Sequence, residues 1–320
     1  MDWKTFKSNV RVAKHKFFDN KIYEIALSNK RPWDLMNWVK KKALPAIETI
    51  THEERPCNSL PSLWNALHCS YNSVANCPVN TTILNDLPRN NSIDWPPFSK
   101  QEFRDAIAKC SSSSTPGPDH ISWRHLKPVV ADNECLERII DIANTCITYE
   151  IWPAQFKNAM SVVISKPNKA SYNMPKSFRP IVLLNTIGKL IEKVISTCLQ
   201  FHMTSNGFLD LNQLGGIKQR STIDVGLYLT HYVCAGWLKQ YHTSVIAFDV
   251  AQFFPSLNYM FLLACIEKAS LSRNITNFFS SYHAGRSTTY TWNSFSSPPF
   301  NTSIGVGSVG KNSLGHSIFL

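Results

Sequence analysis

Apolar side chains recur at helical spacing through residues 3–28, at Phe6, Val10, Ala13 and Phe17 and again at Ile22 and Ile25. That rhythm predicts an amphipathic helix. It returns at Trp33–Lys42 and at Leu60–Val74, then gives way to Pro, Asn and Ser from Asn76 to Pro97. These residues favour turns, so residues 1–97 read as a helical extension ending in a loose connector. Ser99-Lys-Gln-Glu102 is a capping-box pattern, followed by Phe103 and Ile107 one turn apart. The predicted helix stops at Cys110, before SSSSTPGPDH, a segment too rich in Ser, Pro and Gly for anything but a loop. Leu136, Ile139, Ile140 and Ala143 share one face of a further helix over Cys135–Tyr149.

The period then changes. Residues 160–165 (MSVVIS) and 180–184 (PIVLL) are short apolar runs and predict strands. Ile187, Leu190, Ile191, Val194, Ile195, Cys198 and Leu199 form the apolar face of a long helix, with Gly207 just past its end. Ser221-Thr-Ile-Asp224 is a second capping pattern, opening a helix to about Lys239. Residues 243–250 (TSVIAFDV) predict a strand buried on both faces, Leu257–Ala269 a helix, and 287–295 (STTYTWNSF) a half-exposed strand. Strands and helices mix without repeats, which makes the class α+β or α/β; α+β is the expectation carried forward, with residues 98–320 as one domain.

Composition adds a bias. The 320 residues are 43% hydrophobic and carry a net charge of +11. Residues 1–150 hold 19 Lys and Arg against 17 Asp and Glu, whereas residues 151–320 hold 14 against 5. A surface so poor in carboxylates attracts polyanions, nucleic acid foremost; a basic face with no partner is the plainer reading. The nine cysteines are scattered with no CxxC pair or zinc-ligand spacing, which suits reduced thiols in an intracellular protein. The apolar stretch Val225–Leu238 is too short to span a bilayer, so no membrane association is expected.

Three positions could carry chemistry. Asp249 ends the apolar run Val245-Ile246-Ala247-Phe248, where a charge is costly unless paired. Mg²⁺ is one such partner, since it takes hard oxygen ligands; an ordinary helix cap near Pro255 is the other reading. Lys166 ends the MSVVIS strand and Arg179 precedes PIVLL, so two cations on neighbouring strand ends could clamp a triphosphate. A solvated basic loop, KPNKASYNMPK, is the reading these residues favour on their own. A hydrolase triad and a phosphate-binding glycine loop are both disfavoured, the first for want of a nucleophile turn and the second because Gly305–Asn312 has the wrong spacing.

In order along the chain, SSTPGPDHISWRHLK (113–127), VVISKPNK (162–169), SFRPIVLLNTIGKLIEKVI (177–195), QLGGIKQRSTID (213–224) and VIAFDVAQFFPSLNY (245–259) resemble the motifs of reverse transcriptases of LINE-type retrotransposons, those without long terminal repeats, especially fungal ones. Residues 3–96, with KRPWDLMNWVKK at 30–41, resemble the segment between endonuclease and polymerase in such elements. The resemblance implies a right-hand polymerase fold, with fingers and part of the palm behind a helical N-terminal extension. It implies RNA-directed DNA polymerase chemistry with Mg²⁺, dNTPs, an RNA template and a DNA primer or target, in the nucleus. Asp249 matches the metal-binding aspartate, and Val250 would offer its carbonyl to a metal. Phe254 matches the aromatic that excludes ribonucleotides, while Lys166 and Arg179 match the fingers residues that grip the incoming dNTP.

The sequence also departs from that pattern. After Asp249 the one acid is Glu267, so the family's Ala-Asp-Asp pair is expected beyond Leu320, as in a truncated chain. Ser308 stands where a glutamine is usual, and Gly315-His316 replaces a Ser-Pro feature. Two ions need more than one carboxylate. The expectation is therefore a reverse transcriptase part that is inactive in isolation, the alternative being a non-catalytic nucleic-acid-binding remnant; protein partners stay unassigned.

Overall fold

The computed structural model describes residues 2–27, 49–72, 80, 82, 95–167, 169–209, 212–217, 220–249, 258–269 and 271–302. The chain divides into two compact units, residues 1–48 and 49–320. In the first, α1 (Trp3–Leu27) is the described element. The predicted helix at Trp33–Lys42 and nearly all of the connector lie outside the described residues.

The second unit opens with β1 (Thr51–His52), β2 (Arg55–Pro56) and α2 (Leu60–Tyr71). Then come α3 (Lys100–Ala108), α4 (Trp123–Ala131), α5 (Asn133–Thr148), β3 (Asn158–Ser165), β4 (Phe178–Leu183) and α6 (Thr186–Ser205). It continues through α7 (Thr222–Leu238), α8 (Tyr259–Lys268), α9 (Arg273–His283), β5 (Arg286–Trp292), β6 (Phe295–Ser296) and β7 (Phe300–Thr302). Helices and a mixed sheet segregate, so the class is α+β.

Local chemistry explains most of the helix ends. Both capping boxes form: Ser99 accepts from the Glu102 N–H while Glu102 reaches back, and Ser221 and Asp224 do the same at α7. After α6, Gly207 adopts φ +68° and Phe208 donates to the Met203 carbonyl at 3.0 Å, a left-handed helix stop. One core joins α3, α4, α5, α6, α8 and α9, with Phe103, Leu136, Leu190, Ile195, Ile275 and Phe278 buried in it. Trp152 is buried against Phe156, Phe278 and Tyr282, with ring centroids 5.2–5.7 Å apart.

The sheet runs β4-β3-β5-β6, with β7 also on β5. β3 pairs antiparallel with β4 and parallel with β5, from Asn158 opposite Ser287 to Val162 opposite Thr291. Alternation along β3 buries Ala159, Ser161 and Val163 on one face. That face meets α2: Ile50, Trp64 and Leu67 pack with Val163, Tyr172, Phe178 and Tyr290 in a second cluster. On the other face Ile164 and Arg179 are exposed.

One expectation needs correction, and two helices lie outside the predicted elements. Residues 243–249 form no strand; Val245, Ile246 and Phe248 are exposed, the last at 91%. A strand requires a neighbour for its backbone groups, and among the described residues this segment has none. Helix α4 was missed; it carries Pro128 in its interior and buries Trp123, Leu126 and Val130 along one face. Helix α9 was also missed, though Ile275, Phe278, Phe279 and Tyr282 have plain helical spacing.

Helix α7 matches its predicted span. It is apolar around most of its circumference, yet none of its described residues is buried, and Ile223, Leu227, Tyr232 and Leu238 are exposed.

Candidate functional site

The β3–β4 hairpin gathers the predicted cations. Ile164 lies opposite Arg179 and Ser165 opposite Phe178. Lys166 extends the pairing by one rung, donating its N–H to the Ser177 carbonyl at 2.9 Å. The connection between the strands is tied internally: the Tyr172 hydroxyl donates to the Lys166 carbonyl at 2.6 Å, and the Ser177 hydroxyl to that of Ser171 at 2.8 Å. The Thr51 N–H donates to the Asn173 carbonyl at 2.6 Å, fastening the loop to the start of the unit.

Lys166 is thereby held partly buried, and Arg179 and Lys169 are exposed. Burial pushes the Lys166 ammonium below the usual lysine range, and the nearby charges of Lys169 and Arg179 push it the same way. Like charges fixed close together on backbone are unfavourable alone and are relieved by a polyanion. An Arg fork next to lysine point charges suits phosphate oxygens. Lys169, which no strand pattern marks, joins Lys166 and Arg179 in this cluster; its place is set by the fold of the loop.

Behind the hairpin, the TPGPDH loop is fastened to the junction of β4 and α6. Gly117 sits against the Leu184 backbone so closely that an added Cβ would lie 2.2 Å from its carbonyl oxygen. The Asp119 carboxylate accepts from the Ile121 N–H at 3.2 Å and the Thr186 N–H at 3.3 Å, and the Thr186 hydroxyl donates to the Ile121 carbonyl. An acidic side chain at the first N–H groups of a helix also meets the positive end of its dipole. Burial pushes Lys189 on α6 down, while Glu192 and Asp119 pull it back up.

Asp249 is exposed at the end of the irregular segment 241–249. Val250 and Phe254 lie outside the described residues. The structure thus brings Lys166 and Arg179 together and leaves Asp249 on a separate, solvent-facing stretch. Among the described residues no three His, Cys, Asp or Glu side chains cluster as a metal site. One exposed carboxylate is a hard donor of the type Mg²⁺ accepts, but a pair of ions needs several, and the described residues do not supply them. No described helix is long and apolar enough to cross a membrane.

Comparison with known proteins bears on this region. Residues 164–298 match the family model described as reverse transcriptase (RNA-dependent DNA polymerase). The match begins at the end of β3 and so includes Lys166, Arg179 and Asp249. The chain is 26% identical over 183 residues to a probable RNA-directed DNA polymerase from transposon BS of Drosophila melanogaster, covering 57% of this chain and 20% of that protein. It is 25% identical over 210 residues to the corresponding protein from transposon X-element of the same species, covering 66% and 23%. A retrovirus-related Pol polyprotein from type-1 retrotransposable element R1 of Bradysia coprophila is 27% identical over 100 residues, covering 31% and 10%. The chain therefore spans about a fifth of the length of the first two relatives. Over the matched residues it is similar to the reverse transcriptases of retrotransposons.

Proposed function

We propose that this chain supplies the nucleotide-gripping part of a LINE-type reverse transcriptase, an RNA-directed DNA polymerase with right-hand architecture. The reading rests chiefly on one observation: the stretch matching the reverse transcriptase model begins with Lys166, Lys169 and Arg179 gathered on the β3–β4 hairpin. In this reading the β3–β4 hairpin belongs to the fingers, and its cations hold the triphosphate of an incoming dNTP. Phosphoryl transfer draws most of its acceleration from positioning and from neutralising phosphate charge, and a rigid cationic hairpin provides both. Phe254 is assigned the role of screening the sugar. An RNA template and a DNA primer are the assigned nucleic-acid partners, consistent with the basic balance of residues 151–320.

Reverse transcriptases generally use divalent metal ions. Asp249 is our candidate carboxylate ligand, with the Val250 carbonyl beside it. Between Asp249 and Leu320 the one acid is Glu267, the described residues hold no cluster of ligands for two ions, and no chemical step is assigned to them. That shortage favours a second reading, nucleic-acid binding without synthesis.

Primer extension on an RNA template with dNTPs and Mg²⁺ separates the two readings. The chain is expected to bind the template in a salt-dependent way without extending the primer. Extension abolished by Asp249→Ala would establish a working site and remove the second reading. Template binding unchanged in Lys166→Ala/Arg179→Ala would remove the role given to the hairpin.

A further inference from the structure

A buried charge pair lies between the helical core and the sheet. Glu192 on α6 is 2% exposed and Arg286, which opens β5, is 5% exposed. The Tyr282 hydroxyl of α9 donates to Glu192 Oε1 at 2.8 Å, and Arg286 Nη1 donates to the Tyr282 carbonyl at 3.0 Å. The guanidinium lies over the Tyr282 ring, 4.4 Å from its centroid, with Nη2 4.0 Å from Glu192 Oε1. Among the described residues Nη2 has no hydrogen-bond partner. Arg286 thus depends on Glu192 and the Tyr282 ring for compensation, and a buried cation that loses its carboxylate is strongly disfavoured.

The connectivity gives the pair a particular role. Helix α6 follows β4 after two residues, Leu184 and Asn185. β4 is laddered to β3, and β3 is laddered to β5. β5 begins at Arg286, whose charge returns to Glu192 on α6. The path from β4 through α6, the charge pair, β5 and β3 back to β4 is closed. Its other sides are covalent chain or backbone ladder; this side is made by the charge pair bridged through Tyr282, beside the apolar packing of α6 on α9.

We infer that Glu192 and Arg286 are positioning residues for the β3–β4 hairpin, holding the strand that bears Lys166 against β5 and at a fixed angle to α6. Tyr282 orients both partners. The pair makes no contact with the phosphate-binding cations and acts on them through the sheet. The consequence for triphosphate binding rests on the function proposed above; the mechanical role does not.

Hydrogen–deuterium exchange with mass spectrometry on the full chain tests the mechanical role. Glu192→Gln keeps an acceptor for Tyr282 but removes the compensating charge. Peptides covering 158–183 and 286–292 are expected to lose protection by about tenfold, while α3 and α5 change by less than about twofold. Uniform loss across the molecule, or no loss at the hairpin, would overturn the inference. Should Glu192→Gln not fold, Arg286→Lys carries the same test, with about threefold loss confined to the same peptides. Titration with inorganic tripolyphosphate reads the binding consequence, with affinity about fivefold weaker in either variant. Arg179→Ala is the control: tripolyphosphate binding insensitive to it would remove the proposed phosphate site, while the exchange pattern would still decide the positioning role.

Discussion

Gly117→Ala tests how tightly the TPGPDH loop is clamped. A Cβ at this position would lie 2.2 Å from the Leu184 carbonyl oxygen, 2.3 Å from its carbon and 2.7 Å from the Asn185 nitrogen. Unstrained heavy-atom contact is near 3.5 Å, so the loop or the wall must shift by about 1 Å. The wall is backbone between β4 and α6, and the loop is stiffened by Pro116 and Pro118 on either side. Overpacking of this type costs about 1–3 kcal/mol, and the upper end applies where neither side yields. A shift of that size also stretches the Asp119 bonds to Ile121 and Thr186, already 3.2 and 3.3 Å long. A total near 3 kcal/mol lowers the melting temperature by about 6–12 °C for a unit of this size. Thermal unfolding by circular dichroism measures it, with Gly226→Ala in α7 as control, since nothing lies within 4 Å of a Cβ there. Alanine at a helix-interior glycine stabilises by up to about 1 kcal/mol. A Gly117→Ala melt within about 2 °C of wild type would refute the clamp.

His283 is half-buried with its Nε2 shielded from solvent; burial and the facing Arg286 push its pKa down from 6.5 to about 3, which keeps it neutral, and the Tyr282 ring meets it edge-on. Unfolding frees it to take a proton, so its contribution is complete above about pH 6.5 and shrinks as pH falls toward 3, by about 2–3 kcal/mol at pH 4.5. Urea midpoints against pH should therefore fall more steeply in wild type than in His283→Leu between pH 6.5 and 4.5, and parallel curves would count against this account. Trp64→Ala should destabilise the second unit by about 3–5 kcal/mol, since the ring is 3% exposed between α2 and the sheet; a denaturation midpoint near wild type would mean that α2 does not support the sheet. The uncovered apolar surface of α7 should bind a hydrophobic dye and drive self-association at high concentration. Leu227→Glu and Leu238→Glu should reduce both effects without lowering the melting temperature, and light scattering unchanged by the substitutions would contradict this.

Where a signal was local, the sequence carried it well. Ser99 and Ser221 each stand three residues before an acid, and both boxes form. The apolar face of α6 was readable residue by residue because its helix is amphipathic and most of that face is buried. Residues 243–249 failed for the opposite reason: a β-branched, apolar run specifies willingness to pair, not the presence of a partner. Lys166 and Arg179 could be found because they flank recognisable strands, and strand register then places them two rungs apart on one hairpin. Glu192, Tyr282 and Arg286 could not, since no local pattern links a glutamate on one helix to a tyrosine 90 residues later. Glu192 even looks like an ordinary polar position between Ile191 and Lys193 until the helix is packed.

The parallel ladder between β3 and β5 has a consequence for how the molecule is made. Its partners are Asn158 and Ser287 at one end and Val162 and Thr291 at the other, so everything from α6 to α9 is an excursion between two strands that end up side by side. A ribosome must release the last of these strands before the first acquires its second neighbour, and until then β3 and β4 wait as an open-edged hairpin exposed to mispairing. Once the ladder closes, both ends of the excursion are anchored, so a protease that nicks the chain between Tyr241 and Asp249 should leave two pieces that migrate together until denatured.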